Sequence, residues 1–228
     1  MFQHLLFLQE VDMPATTTES QSLLDLLFSG GWIGVTIVLI QIIQSVFALY
    51  IFVERYLSIK KSGEVDQNFM NNIRANVSSG NIQAARSLCQ STDTPVARMV
   101  EKGLARIGKP LHDIDAAIEN VGNLEIFKLE KNLGTLAGIS GSAPMLGFLG
   151  TVTGMIVSFQ QMATATNVTP QVLAGGIYQA LITTAVGLVV GIFSYIGYNY
   201  LVGKVDKVVY QMERFTTEFM DMLQEPTA

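Results

Sequence analysis

Residues 133–162 decide the fold class, and they read LGTLAGISGSAPMLGFLGTVTGMIVSFQQM. The stretch contains no charged side chain, whereas roughly 20 helical residues are enough to cross the hydrocarbon core of a bilayer. An uncharged run of this length predicts a membrane-spanning helix. Because the run is longer than a bilayer requires, we expect its first turns to lie outside the lipid.

Small residues distinguish this helix from a span that faces lipid on all sides. Gly134 and Gly138 are four residues apart, as are Gly150 and Gly154, and this spacing creates small faces where another backbone can approach closely. Pro144 predicts either a kink or a wide turn within the helix. We expect helix-packing roles for Pro144 and for the glycines Gly147, Gly150 and Gly154.

Two more uncharged runs occupy residues 32–53 and 174–202. The last run carries Gly187 and Gly191, again four residues apart, and we expect both glycines to pack against a neighbouring helix. All three runs are long enough to cross a bilayer as helices. The sequence therefore predicts an all-α membrane protein with three transmembrane helices.

The basic residues give the orientation. Every Lys and Arg lies between Arg55 and Lys131 or from Lys204 onward. Cytoplasmic segments of membrane proteins carry the excess of Lys and Arg. Segments 54–132 and 203–228 are therefore predicted to be cytoplasmic, and the topology is N-out, C-in.

The parts predicted on the non-cytoplasmic side are an N-terminal arm, residues 1–31, and a loop, residues 163–173. Neither part contains a Lys or Arg. Within the arm, residues 22–28 form a short apolar stretch that cannot span a bilayer. We expect this stretch to form an interfacial helix.

The cytoplasmic segment 54–132 shows a helical apolar period broken by local signals. Gly80-Asn81 predicts a helix stop followed by an N-cap, and Pro95 suits the first position of the next helix. A further helix beginning near His112 is expected to continue without a stop into the second span. The apolar stripes of this segment and of the tail either bury one another in a helical bundle or meet neighbouring copies of the chain.

Composition argues against several classes of function. The net charge of −5 and the lack of a basic cluster argue against nucleic-acid binding. The single cysteine, Cys89, can form neither an internal disulfide nor a zinc site, and we expect it to pack as a small apolar residue. His4 and His112 are predicted on opposite sides of the membrane. We therefore expect no catalytic residue, no metal site and no cofactor.

Polar side chains in the second and third predicted spans are the candidate functional residues: Thr151, Gln179, Thr183 and Thr184. A threonine in a membrane helix often bonds its own backbone without further function. The alternative is that these side chains line a path for water or ions. No Asp, Glu, Lys or His occurs in any span, so a partner would have to supply the titratable group that a proton relay needs.

Two segments carry a family resemblance. Residues 143–156, APMLGFLGTVTGMI, resemble the signature of the ExbB/TolQ/MotA proton-channel family in its ExbB/TolQ branch, and residues 176–188, GIYQALITTAVGL, resemble its second signature. Shorter similarities occur at Gly30 to Trp32, Val53 to Leu57 and Pro95 to Arg98.

The resemblance implies a homopentamer in the bacterial inner membrane whose second and third spans surround a pore. The pore would hold single-span helices of an ExbD/TolR-like partner, each with a membrane Asp that takes up and releases protons. Thr151 and Thr184 match the pore-facing threonines of the family. Gln179 stands where many members carry Glu, which places proton entry in question.

By the same resemblance, the function is a subunit of a proton-driven motor that acts through a TonB-like or TolA-like protein. Energised outer-membrane transport is the leading hypothesis. A TolQ-like motor for envelope maintenance, a gliding-type motor and a non-conducting scaffold for the partner are the alternatives. A flagellar MotA-like stator is disfavoured because that branch has four spans.

Overall fold

The computed structural model describes residues 31–64, 66, 68–164 and 170–224, and it describes side chains from Trp32 onward and, in the last helix, from Ala174 onward. Within these residues the protein is helical and contains no strand. The predicted interfacial helix at residues 22–28 lies outside the described residues, as do residues 165–169 of the predicted loop 163–173. The other residues of that loop, 163–164 and 170–173, are helical, so the loop is shorter than predicted. The helices are α1 Gly31–Ser62, α2 Asn68–Ser78, α3 Ile82–Ser91, α4 Pro95–Leu104, α5 Leu111–Leu129, α6 Leu133–Thr164 and α7 Pro170–Gln224.

In the described part of the chain, three helical stretches are long and apolar enough to cross a membrane: Trp32–Ser62, Leu111–Thr164 and Ala174–Gln224. The prediction of an all-α protein with three such stretches is confirmed, whereas the N-out, C-in orientation stays a prediction. The helices continue past the apolar runs. The 55 residues of α7 give it a length of about 80 Å. One rigid element therefore joins the apolar part of the protein to its polar part.

The connection between α5 and α6 corrects one prediction. We expected an unbroken helix, but α5 ends at Leu129 and α6 begins at Leu133. Between them Asn132 has a φ of 64°, in the left-handed region that interrupts a right-handed helix. Asparagine tolerates this region better than most residues because its short polar side chain can bond locally.

Pro144 lies inside the continuous helix α6, so the alternative of a wide turn at this proline is wrong. The local signals of the polar segment are confirmed. Gly80 has a φ of 73°, and the side chain of Asn81 caps α3 by accepting from the Ala84 amide at 3.1 Å. Pro95 opens α4, as its fixed φ favours.

The polar helices form a bundle, called here the helical domain, that consists of α2 to α5 and the end of α7. The end of α7 buries its apolar stripe against the other helices of the same chain, with Met212 and Phe219 among its most buried side chains. This burial favours the bundle interpretation of the apolar stripes. Cys89 is also buried, and burial raises the pKa of its thiol to about 12, as suits a residue that packs as an apolar group.

A chain of ion pairs connects the end of α1 to α4 and α5. Lys61 Nζ lies 2.7 Å from Asp93, and Arg98 lies 2.8 Å from Asp93 and 2.6 Å from Glu125. Lys128 Nζ holds the second oxygen of Glu125 at 2.6 Å. Burial raises the pKa of Glu125, but the hydrogen bonds and charges of Arg98 and Lys128 outweigh burial and leave that pKa below its ordinary value.

Replacing Gly103 by Ala should destabilise the helical domain. A Cβ at Gly103 would lie 2.5 Å from Phe219 Cε1 and 2.8 Å from Ile118 Cδ1. Overpacking costs about 1–3 kcal/mol, more than the gain of about 1 kcal/mol in helix propensity. Gly203→Ala is the matched control, because Gly203 is helical with nothing within 4 Å of its Cβ position. Thermal unfolding of the purified protein should show a lower midpoint for Gly103→Ala only, and equal midpoints would contradict the packing.

Glu125→Gln should lower stability at neutral pH and flatten its dependence on acid. A carboxylate whose pKa is lowered by folding stabilises the protein above its unfolded pKa of about 4.3, and this contribution disappears as the pH falls through the folded value. Hydrogen bonds to a charged group contribute about 1.5–3 kcal/mol. We expect thermal unfolding midpoints of wild type and variant to converge below about pH 4. Glu119→Gln, at an exposed position of α5, is the control and should match wild type throughout.

Candidate functional site

The candidate site is the contact between α6 and α7, which depends on glycines of α6. A Cβ at Gly147 would lie 3.0 Å from the Cα of Thr184, and one at Gly154 would lie 3.0 Å from the Cβ of Ala180. A Cβ at Gly150 would overlap the hydroxyl of Thr183. These glycines are three and four residues apart and so share one face of α6. That face lies directly against the backbone of α7.

The glycines of α7 complete the contact. A Cβ at Gly187 would lie 2.5 Å from the carbonyl oxygen of Ala143, and one at Gly191 would lie 2.5 Å from Cγ of Pro144. The Pro144 ring therefore packs against Gly191. Any side chain at these two positions would separate the helices.

A second glycine face of α6 has no neighbour in the described part of the chain. Nothing lies within 4 Å of a Cβ placed at Gly134, Gly138 or Gly141. The exposed apolar side chains Met145 and Phe148 follow on the same helix. The small face that the sequence indicated at Gly134 and Gly138 is thus not covered by the described part of the chain.

The threonines divide into two groups. The hydroxyls of Thr151, Thr153 and Thr183 donate to carbonyls of their own helix, at 2.7 Å for Thr151 and for Thr183 and 2.9 Å for Thr153. Backbone bonding, the alternative that the sequence left open, is what these three residues show. Thr184 differs, because its hydroxyl donates across the contact to the carbonyl of Gly147 at 2.8 Å.

The candidate threonines also differ in how far their side chains are exposed. Thr183 is 2% exposed and packs inside the α6–α7 contact, so its hydroxyl is enclosed within the chain and does not face outward. Thr151 and Thr184 are half-buried and lie at the border of the contact. The structure thus brings Thr183, Thr184 and the α6 glycines together and leaves Thr151 one turn beyond Gly147 along α6.

Gln179 is directed toward α1. Its Nε2 lies 3.1 Å from the position of a Cβ at Gly34, is shielded from solvent and has no hydrogen-bond partner within the described residues. Gln179 therefore faces the seam between α1 and α7.

Sequence reasoning missed two glutamines of α1. Gln41 is fully buried and donates from Nε2 to the Thr183 carbonyl at 3.1 Å, and Gln44 donates to the Ser142 hydroxyl at 3.1 Å. In the sequence they appear only as polar interruptions of an apolar run. A polar side chain inside a span needs a hydrogen-bond partner, so the sequence could have indicated that both glutamines bond another helix.

The site can form hydrogen bonds, but it has no acidic, basic or histidine side chain of its own that could relay a proton. Runs 133–162 and 174–202 contain no Asp, Glu, Lys, Arg or His. No group of His, Cys, Asp or Glu able to hold a metal ion occurs among the described residues. Hydroxyls and amides of this kind can orient water or a charged group that comes from elsewhere.

Comparisons with known proteins identify relatives of this chain. Residues 91–214 match the MotA/TolQ/ExbB proton channel family. The chain is 35% identical over 134 residues to an ExbB homolog of Methanothermobacter thermautotrophicus, a match that covers 59% of this chain and 47% of that protein. It is 34% identical over 122 residues to the Tol-Pal system protein TolQ of Pseudomonas aeruginosa, covering 50% of this chain and 53% of TolQ.

A third relative is the biopolymer transport protein ExbB of Helicobacter pylori, 40% identical over 98 residues, which are 43% of this chain and 62% of that protein. The chain thus spans about half the length of the curated relatives it matches. The family match extends from the end of α3 into the last part of α7 and includes the whole glycine contact. Since it covers more than half of the sequence, this membrane protein belongs to the MotA/TolQ/ExbB proton channel family.

Proposed function

We propose that this chain is the channel-forming subunit of an inner-membrane motor driven by the proton-motive force. In this proposal it is ExbB-like, has no catalytic activity of its own and works with an ExbD/TolR-like single-span protein. The motor energises TonB-dependent transport across the outer membrane. Membership of a proton channel family that includes biopolymer transport proteins supports the proposal.

One observation carries the proposal: Thr151 and Thr184 remain partly exposed at the border of a contact that buries the hydroxyl-bearing side chains of Thr183 and Ser158. The hydroxyl of Thr184 donates its hydrogen bond to the Gly147 carbonyl. Rotation about χ1 would turn this hydroxyl away from Gly147, so that it could donate to another acceptor. A partner carboxylate arriving at this border would meet two hydroxyls in an apolar setting. Hydrogen bonds to a charged group are stronger there than in water.

Assembly in the proposal is homopentameric, with α6 and α7 of five copies around the pore and the topology N-out, C-in. The open glycine face at Gly134, Gly138 and Gly141 supports close packing between copies. Exposed apolar side chains continue beside it, with Met145 at 73% and Phe148 at 67% exposure. These surfaces are available to neighbouring copies, to the partner or to lipid.

The partner supplies the titratable group. Its membrane aspartate takes a proton from the periplasmic side and releases it on the cytoplasmic side. One charge crossing 100 mV releases about 2.3 kcal/mol, several times thermal energy, so each proton can bias a step of the ring relative to the partner. The threonines favour the ionised aspartate by donating hydrogen bonds to it.

Gln179 changes proton entry in this proposal. A glutamate there could relay protons, whereas an amide only forms hydrogen bonds. Its Nε2 also faces α1 near Gly34, away from the border that carries Thr184. Conduction therefore depends on the partner's carboxylate and on water, without a relay from residue 179.

A second candidate is a TolQ-like subunit that maintains the envelope through a TolA-like protein. The TolQ protein of Pseudomonas aeruginosa is 34% identical to this chain, close to the 35% of the ExbB homolog of Methanothermobacter thermautotrophicus. Affinity purification of the chain from its native membrane distinguishes the two: a TonB-like protein supports the first function and a TolA-like protein the second.

Replacing Thr184 or Thr151 by Ala should abolish most energised transport without preventing assembly. Loss of a hydrogen bond to an ionised carboxylate costs about 1.5–3 kcal/mol, which corresponds to roughly tenfold or more in proton flux. The measurement is dye-reported flux into proteoliposomes that contain the chain and the ExbD/TolR-like protein. Thr153→Ala is the matched control, since Thr153 bonds its own helix as Thr151 does but, two residues away, lies on a different face of α6. Equal flux in all variants would reject the roles assigned to Thr151 and Thr184.

Replacing the partner's membrane aspartate by asparagine should stop proton flux while the complex stays intact. Asparagine keeps the size of the side chain and loses the exchangeable proton. Flux that requires the aspartate excludes a non-conducting scaffold. If the wild-type complex conducts no more than the asparagine variant, the chain is a scaffold and the motor proposal fails.

A further inference from the structure

Gln41 joins α1 to α7 by a hydrogen bond inside the apolar part of the protein. Gln41 is fully buried, on the face of α1 that also buries Ile37, Val38 and Ala48. Its Nε2 donates to the carbonyl oxygen of Thr183 at 3.1 Å, which joins residues 142 positions apart in the chain. On an otherwise apolar face of α1, the Gln41 amide therefore bonds one carbonyl of α7.

That carbonyl belongs to the residue directly before Thr184. The Thr184 hydroxyl donates in the opposite direction, to the Gly147 carbonyl of α6 at 2.8 Å. Adjacent residues of α7 are therefore bonded to α1 on one side and to α6 on the other. Two such bonds at neighbouring positions restrict rotation of α7 about its own axis.

Gly187 makes room for this arrangement. A Cβ there would lie 2.7 Å from Nε2 of Gln41 and 2.5 Å from the Ala143 carbonyl oxygen. The glycine that permits close packing of α6 and α7 is therefore also the one that admits the Gln41 amide. The three helices meet at this point.

Stability alone does not account for a glutamine at this position. Oε1 of Gln41 is buried and has no hydrogen-bond partner within the described residues. An unpaired buried acceptor is destabilising, and an apolar side chain of similar size would leave none. Polar groups kept in an apolar interior are best known for fixing register. Gln41 meets that description, because its bond selects one carbonyl on one turn of α7.

We propose that Gln41 is a positioning residue for Thr184. By holding the Thr183 carbonyl, it fixes the rotation of α7 and therefore the direction of the Thr184 hydroxyl. This role rests on the proposed function, in which Thr184 meets the partner's aspartate. Gln41 itself contacts neither the proton nor the partner.

The test measures proton flux per assembled complex in proteoliposomes that contain the chain and the ExbD/TolR-like protein. Gln41→Leu should lower flux roughly fivefold, the factor that corresponds to a hydrogen bond of about 1 kcal/mol. Gln41→Met provides a second apolar replacement and should behave alike. Gln44→Leu is the matched control, because Gln44 lies one turn away and its Oε1 likewise has no hydrogen-bond partner among the residues described. Gln44 bonds Ser142 of α6 instead of α7, so proton flux should remain at the wild-type level.

A double variant tests whether Gln41 acts through Thr184. Gln41→Leu combined with Thr184→Ala should lose no more flux than Thr184→Ala alone, because residues that act through one another are not additive. If the double variant loses flux by the product of the two single losses, the proposal is overturned. Failure of both Gln41 variants to assemble would also overturn it, because Gln41 would then have a structural role. Normal flux in Thr184→Ala rejects the proposed function, whereas loss in Thr184→Ala with normal flux in Gln41→Leu rejects the role of Gln41 alone.

Discussion

The close approach of α6 and α7 is the constraint on which the rest of the molecule depends. With glycine at positions 147, 150, 187 and 191, the backbones come near enough that a Cβ at Gly187 would touch a carbonyl of the opposing helix. At this separation the Thr184 hydroxyl reaches Gly147 and the Thr183 side chain is enclosed. The same separation leaves a space that the Gln41 amide enters from α1. One contact thus sets the position of polar groups on three helices.

The helices α1 and α7 continue from the apolar region into the helical domain, so the α6–α7 contact is linked to that domain. α7 runs from the Thr184 contact to Phe219, which is buried in the helical domain against Gly103. α1 likewise continues to Lys61, where it joins the ion pairs that include Arg98 and the buried Glu125. A rotation of α7 at the level of Thr184 would therefore act on packed side chains of the helical domain. This continuity fits the proposed motor, in which movement around a central partner would be transmitted along the helices.

Local and periodic signals could be predicted from the sequence, and long-range partners could not. Uncharged runs gave the three membrane-length helices, and the Asn81 cap and the Pro95 start followed from residue types with one strong preference. The break at Asn132 has no Gly or Pro beside it and was missed, because an asparagine alone does not require a left-handed backbone. Thr183 and Thr184 are neighbours with the same side chain. The direction of the neighbouring helix α6 alone decides that Thr183 is enclosed and that Thr184 reaches the border. Likewise, no local signal reveals that Gln41 bonds a carbonyl 142 residues away.

The central claim is that the border of the α6–α7 contact at Thr184 receives an acidic side chain from another protein. Disulfide cross-linking tests it most directly, in a Cys89→Ala background with the partner's membrane aspartate replaced by cysteine. We expect Thr184→Cys to cross-link to the partner and Val189→Cys not to, because Val189 is 53% exposed but lines the groove beside α1. Cross-linking from position 189 and none from position 184 would contradict the account.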